Sequence, residues 1–294
     1  MRHLVLTAAL IASVGVAVLW LQGGLDGVAR WAMEGQREFQ NAMAGVLRSL
    51  RAGEPGALAA LMGITFAYGF FHAVGPGHGK ILLGGYGAGS GVRVGPLAGI
   101  ALAASLAQAT TAVALVYAGV LLLGWGRERL VGAGDDILTP AGYAAIGLVG
   151  VYLMLRGLRS VVRQWRPAPH GAECGCGGHR HGPAASEVAG LRGRRDAALL
   201  IASIAIRPCT GALFLLILTW NMGIEAAGIA GAYAMALGTA SVTVAVAVVA
   251  VLARDGALSW AAPLARGRAL VPMLELAAGG LVALVSWQVL MQSI

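Results

Sequence analysis

The chain has 294 residues, of which 58% are hydrophobic and only 12% charged. A soluble domain carries roughly 25% charged residues, so a water-exposed globular surface is excluded. The formal net charge of +8 comes from arginines that flank apolar stretches, which points to membrane topology and away from nucleic acid.

About 20 apolar residues cross a bilayer. Seven candidate spans follow one another at 4–21, 57–90, 96–124, 141–158, 197–220, 224–253 and 270–291. The predicted fold is therefore an all-α polytopic membrane protein of about seven transmembrane helices. The first span, within 1–22, is read as an uncleaved anchor in preference to a signal peptide that starts at Arg2, since no clear small-x-small cleavage site follows it. In 23–56, Arg30, Arg37, Arg48 and Arg51 balance Asp26, Glu34, Glu38 and Glu54. Trp31, Phe39, Val46, Leu47 and Leu50 recur there at near-helical spacing, which predicts an amphipathic helix on the periplasmic membrane surface. The second candidate, 57–90, is too long for one plain helix and is interrupted at Gly75-Pro76-Gly77.

Orientation follows from arginine bias. The segment 125–139 is net acidic, from Glu128, Asp135 and Asp136 against Arg127 and Arg129, and is expected outside. The loop 159–196 with its flank carries Arg156, Arg159, Arg163, Arg166, Arg180, Arg192, Arg194 and Arg195; the loop before the last span carries Arg254, Arg266 and Arg268. Both are expected in the cytoplasm. The N-terminus then lies inside and the C-terminus outside a bacterial inner membrane.

Two stretches are alike. Pro76-Gly77-His78-Gly79 resembles Pro208-Cys209-Thr210-Gly211, 132 residues later, and Leu106-Ala107-Gln108-Ala109-Thr110 resembles Leu237-Gly238-Thr239-Ala240-Ser241, 131 later. Either match alone is weak in a chain rich in Gly and Ala; the agreement in offset makes the repeat credible. Each copy, 57–158 and 197–294, holds three spans, and an odd number forces the copies into opposite orientations. Two inverted three-helix repeats with broken helices are the plan of many secondary transporters, whose ion sites lie at the breaks. Proline removes a helical N–H, so the breaks are expected to free the carbonyls of His72 and Ile204.

The chemistry-bearing residues gather at these breaks. His72 and His78 flank the first, with Lys80 beyond it. On an unbroken helix six residues separate two side chains by about 120° in azimuth, so only a redirected chain lets both point at one site. A lone histidine in a span is most simply a partner for a neighbouring helix; two around a Gly-Pro-Gly break point to a metal. Gly79-Lys80 does not complete a phosphate loop, because Val74 stands where glycine is needed and Ile81 replaces Ser or Thr. An ion gradient is therefore the expected energy source. Arg207 and Cys209 flank the second break: Arg207 reads also as a cytoplasmic-side charge, and Cys209 as either a soft ligand or a small buried residue. Gln108 and Thr239 place polar groups on the third and sixth spans, as pathway or helix–helix contacts. Glu275 in the last span is a candidate ligand or proton carrier, or a carboxylate snorkelling to the surface. The loop adds His170, Cys174, Cys176, His179 and His181 among glycines; the spacing is not that of a folded zinc site, but such a tract binds metal loosely.

The stretch Phe71-His72-Ala73-Val74-Gly75-Pro76-Gly77-His78-Gly79-Lys80 resembles the signature of the NicO family, the RcnA-like nickel/cobalt transporters, within a wider group resembling LysE exporters. Arg207-Pro208-Cys209-Thr210-Gly211-Ala212 and Met235-Ala236-Leu237-Gly238-Thr239-Ala240 resemble that family's second region. The resemblance implies transport of Ni2+ or Co2+, with His72 and His78 as metal contacts, and no resident cofactor or enzymatic activity. Efflux members often have a longer, His-rich loop, so uptake of the same metals, or a metal-binding sensor or accessory subunit, stays open beside export. A homo-oligomer is compatible with all three. A thiol–disulfide electron carrier is disfavoured, because Cys209 has Gly77 as its counterpart and no second intramembrane cysteine.

Overall fold

A computed structural model of the chain describes residues 24–75, 83–87, 92–165, 185–261 and 267–293. Apart from short connections the described residues are helical: α1 (Gly24–Arg51), α2 (Ala57–Val74), α3 (Val94–Leu123), the short α4 (Arg127–Gly132) with a π-helical turn Ala133–Leu138, α5 (Thr139–Trp165), α6 (Ala185–Ala205), α7 (Thr210–Met222), α8 (Glu225–Ala261) and α9 (Gly267–Ser293), with a further short helical piece at 83–87. Five helices are long and apolar enough to cross a membrane: Ala57–Val74, Val94–Leu123, Glu128–Val162, Glu225–Gly256 and Glu275–Gln292. The pair Gly193–Ala205 and Thr210–Met222, bent by 58°, has the length and apolarity of a sixth when the two are counted as one broken span. The first candidate of the sequence, 4–21, lies outside the described residues. The expected loop at 125–139 is helical from Arg127 onward, and runs through the π turn into α5.

Local sequence explains the boundaries. α2 stops at Val74 because Gly75 precedes a proline and takes an extended conformation, φ −56° and ψ 164°. α3 and α7 end on Gly124 and Gly223, whose φ of 60° and 70° is the left-handed cap that glycine adopts without strain. The bend between α6 and α7 falls at Ile206–Cys209, immediately around Pro208.

Small residues let the spans close up, as in membrane bundles generally. α2 and α8 run in the same direction and cross at two glycines. A Cβ on Gly69 would strike the Met235 carbonyl, and one on Gly238 the Phe66 carbonyl. Thr239 Oγ1 donates to the Gly69 carbonyl at 3.2 Å across this crossing. α5 and α9 run antiparallel and cross at Gly150 and Gly279, where a Cβ on Gly150 would lie 2.7 Å from the Ala283 nitrogen. α8 also packs on α3, and α6 on α3 and α5. Arg254, buried near the end of α8, donates to the carbonyls of Gly87 at 2.9 Å and Val92 at 3.0 Å, tying the second half to the first.

α1 is helical, as its spacing predicts, but its apolar stripe is covered by protein. Met43 and Leu47 are fully buried in one core with Leu61 and Leu215, and Phe71 of α2 lies between Trp31 and Phe39. The stripe therefore has a closer partner than the headgroup layer to which the sequence reading assigned it.

Candidate metal centre

His72 sits in the last turn of α2, and Cys209 is the N-cap of α7. They come from opposite halves of the chain and from the two proline breaks. The structure brings them together, close enough for the imidazole to interact with the thiol. Cys209 Sγ also reaches Met235 Sδ of α8 at 3.8 Å. Both His72 and Cys209 are half-buried, while Met235 is buried. The Tyr68 ring stacks parallel to His72, with centroids 6.0 Å apart and planes 7° from parallel. Tyr68 in turn receives a hydrogen bond from Gln36 Nε2 of α1 at 3.1 Å. It lies over Gly211, where any Cβ would collide with its ring, so the Gly after Cys209-Thr210 is what lets α7 begin beside α2.

Imidazole, thiolate and thioether are all metal donors of borderline to soft character. Among the described residues no three His, Cys, Asp or Glu side chains converge; the other sulfur beside Cys209 is that of Met235. Met235 stands in the sequence stretch Met235-Ala236-Leu237 but was not singled out there as a ligand, because an apolar helix offers no local sign that one methionine faces a thiol.

The other candidates are distributed around this centre. Gln108 Nε2 donates to the Arg207 carbonyl at 2.6 Å, so the carbonyl that a partner reaches at the second break is that of Arg207. Pro208 is buried. The Arg207 guanidinium lies 4.5 Å from the centroid of the Tyr143 ring and donates from Nη1 to its hydroxyl at 2.5 Å. Tyr143 is at the start of α5, the end remote from the arginine-rich loop, so Arg207 is not a charge at that loop's membrane surface. Thr239 spans the α2–α8 crossing, one turn from His72.

Glu275 is not brought to the His72–Cys209 pair. Its carboxylate receives the Arg156 guanidinium of α5, which also bonds Asp196 of α6. Tyr152 Oη donates to Asp196 Oδ1 at 3.3 Å. Asp196 and Glu275 are buried. Sequence reasoning missed Asp196 and took Arg156 for a topology signal. The available sign was Glu275 itself: a carboxylate inside an apolar span requires a counter-charge at its depth. Pro76, His78, Lys80 and the loop residues His170, Cys174, Cys176, His179 and His181 lie outside the described residues.

No protein-family model matches the chain, and no solved structure does. A protein of Haemophilus influenzae is 26% identical over 251 residues, covering 79% of this chain and 76% of that protein; it is provisionally named a nickel/cobalt efflux system. The chain is thus a multi-span membrane protein distantly related to a protein named as a nickel/cobalt efflux system, which is consistent with the resemblance carried by the histidine motif.

Proposed function

We propose that the chain is a secondary transporter that exports Ni2+ or Co2+ across a bacterial inner membrane, the ion passing between its two halves at the proline breaks. The observation that carries this reading is the meeting of His72 with Cys209, two donors from the matched breaks of the two copies. Discontinuous helices around a midplane site are how such transporters hold their cargo. His78, just beyond Gly75-Pro76-Gly77, is assigned to the same ion.

The α5–α9 contact supports the inverted repeat. Gly147 faces Ser286, Gly279 faces Met154, and Gly150 faces Val282. The 132-residue offset of the prolines carries the first pair onto the second, since 147 becomes 279 and 286 becomes 154 when the halves exchange. It carries Gly150 and Val282 onto each other. A two-fold relation between the halves requires that pattern.

Purified chain in proteoliposomes should carry nickel and cobalt without any other subunit, in assays over a panel of divalent ions with and without a pH gradient. Loss of even an outer-shell partner costs about 10–100-fold in metal affinity. His72→Ala, which removes a first contact, should therefore lower flux by at least that factor while membrane insertion is retained. Wild-type flux in this variant sinks the reading. Accumulation of metal by expressing cells, in place of depletion, reverses the direction.

The loop is assigned to capture on the cytoplasmic side. A tethered ligand set raises the local ion concentration near the inner mouth but forms no part of the path. Deleting 170–182 should raise the half-saturating metal concentration by about tenfold or more and leave the maximal rate in place. Abolished transport at saturating metal would make the loop part of the pathway.

A further inference from the structure

We infer that Tyr68 is the positioning residue of His72, and that Gln36 makes α1, a helix belonging to neither copy of the repeat, part of the ion centre. The inference rests on the transport reading above and adds to it two residues that act through His72.

An imidazole at a helix end does not hold one orientation by itself. His72 lies in the last turn of α2, just before the helix gives out at Gly75. The outer torsion of a histidine side chain is broad, so the backbone alone leaves the ring plane open. Tyr68, one turn earlier on the same face, supplies the missing constraint. The two ring planes are 7° apart with centroids 6.0 Å apart, within the range at which aromatic rings attract one another. Tyr68 is 1% exposed, so its own ring has no room to swing aside.

Tyr68 is in turn fixed by two other helices. Gln36 Nε2 of α1 donates to its hydroxyl at 3.1 Å. On the other side, a Cβ on Gly211 in the first turn of α7 would lie 2.3 Å from the phenol ring. The ring is therefore wedged between α1 and the helix that follows the second break. Gly35 brings α1 within reach: a Cβ there would fall 2.5 Å from the ring of Phe71, the neighbour of His72. Trp31 and Phe39 close on the same Phe71, with centroids at 4.8 Å and 5.5 Å. α1 thus grips the end of α2 on both sides of the histidine in sequence order, through Tyr68 before it and beside it through Phe71.

The repeat supports a link between the two rings. An offset of 132 residues carries Tyr68 onto Leu200 and His72 onto Ile204. Tyrosine and histidine are absent together from the second copy, as expected when one serves the other. The consequence for binding follows from preorganisation. A ligand held in its bound orientation loses little rotamer freedom when the ion arrives, and a released one must be ordered by the ion. The cost then appears in affinity and not in the rate at saturating metal.

The test uses full-length protein in proteoliposomes, with flux of nickel chloride measured over a range of concentrations. Tyr68→Phe keeps the ring and removes the hydroxyl; Gln36→Leu removes the other end of the same hydrogen bond. Each should raise the half-saturating nickel concentration about tenfold, the lower end of the effect of losing an outer-shell partner, and keep the maximal rate. The double variant should be no worse than either single one, because both remove one bond. Leu47→Ala is the control. It loosens α1 on α2 beside Leu61, about three turns from His72. It should lower the unfolding temperature in micelles and leave the half-saturating concentration at the parent's value. The inference is overturned by parental half-saturation in both single variants, by additive effects in the double variant, or by Leu47→Ala acting as strongly as Gln36→Leu. If His72→Ala stops flux while Tyr68→Phe and Gln36→Leu keep the parent's half-saturation, transport stands and the positioning role falls. For the converse, nickel chloride is titrated into micelle-solubilised full-length protein in which His170, Cys174, Cys176, His179 and His181 are replaced by serine. If Tyr68→Phe weakens binding there about tenfold but the chain carries no nickel across vesicles, the positioning role stands and the transport reading falls.

Discussion

Gly69→Val is expected to stop the bundle from assembling. Overpacking usually costs 1–3 kcal/mol, because neighbouring side chains rotate out of the way. At Gly69 the obstacle is the backbone carbonyl of Met235, which cannot rotate without breaking α8. The helices would have to part, losing the Thr239–Gly69 hydrogen bond and the reciprocal contact of Gly238 with Phe66. Gly63, on the same helix, has nothing within 4 Å of its would-be Cβ, so Gly63→Val is the control. The measurement is the yield of monodisperse protein and its protease resistance in micelles. Gly63→Val should behave as the parent and Gly69→Val should aggregate or be digested. Equal behaviour of the two would mean that α2 and α8 do not cross as closely as described.

Arg156→Leu is expected to be the most damaging change among the intramembrane charges. It leaves the carboxylates of Asp196 and Glu275 buried without their cation. Removing one partner of a buried ion pair costs 3–5 kcal/mol; the Arg156 side chain is 32% exposed, so about 3 kcal/mol, the lower end, applies. The triple replacement Arg156→Leu, Asp196→Asn, Glu275→Gln removes the stranded charges along with the cation. It should recover most of the loss, since neutral substitutes for buried ion pairs are often tolerated. Thermal unfolding in micelles should place the single variant well below the parent and the triple variant between them. A triple variant no more stable than the single one would show that the three groups do not act together.

What could be read in the sequence follows from what is local. Apolar runs and prolines are local, so the spans at 96–124, 224–253 and 270–291 coincide with α3, α8 and α9, and the two interruptions fall at Gly75 and Pro208. Cys209 and His72 were legible as candidates because each flanks a proline, but their contact was not, since it depends on how α7 turns back toward α2. Met235 was hidden because one methionine in an apolar helix looks like packing. The Arg156–Asp196–Glu275 group was hidden for the opposite reason: arginines near a span end are expected for topology, and that explanation left Asp196 without a role. α1 shows a third limit. A stripe such as Phe39, Val46, Leu47 and Leu50 tells that one face is covered, but not whether lipid or a helix covers it. The acidic stretch at 135–136 read as a loop because charge was weighed over helical continuity, and the chain absorbs it in a π turn.

The position of α1 also shapes the lipid around the protein. α1 runs along α2 from Gln36 beside Tyr68 to Leu47 near Leu61, and turns Arg30, Glu34, Arg37 and Glu38 outward. Acyl chains cannot solvate such a face, because a charge placed at the bilayer centre costs about 2.5–3.5 kcal/mol per residue. That flank of the protein is therefore bounded by water or by another polypeptide. Leu121, Leu148, Leu284 and Trp287 project from the other spans and are exposed, so boundary lipid is expected to contact those spans and to leave the charged face of α1 open.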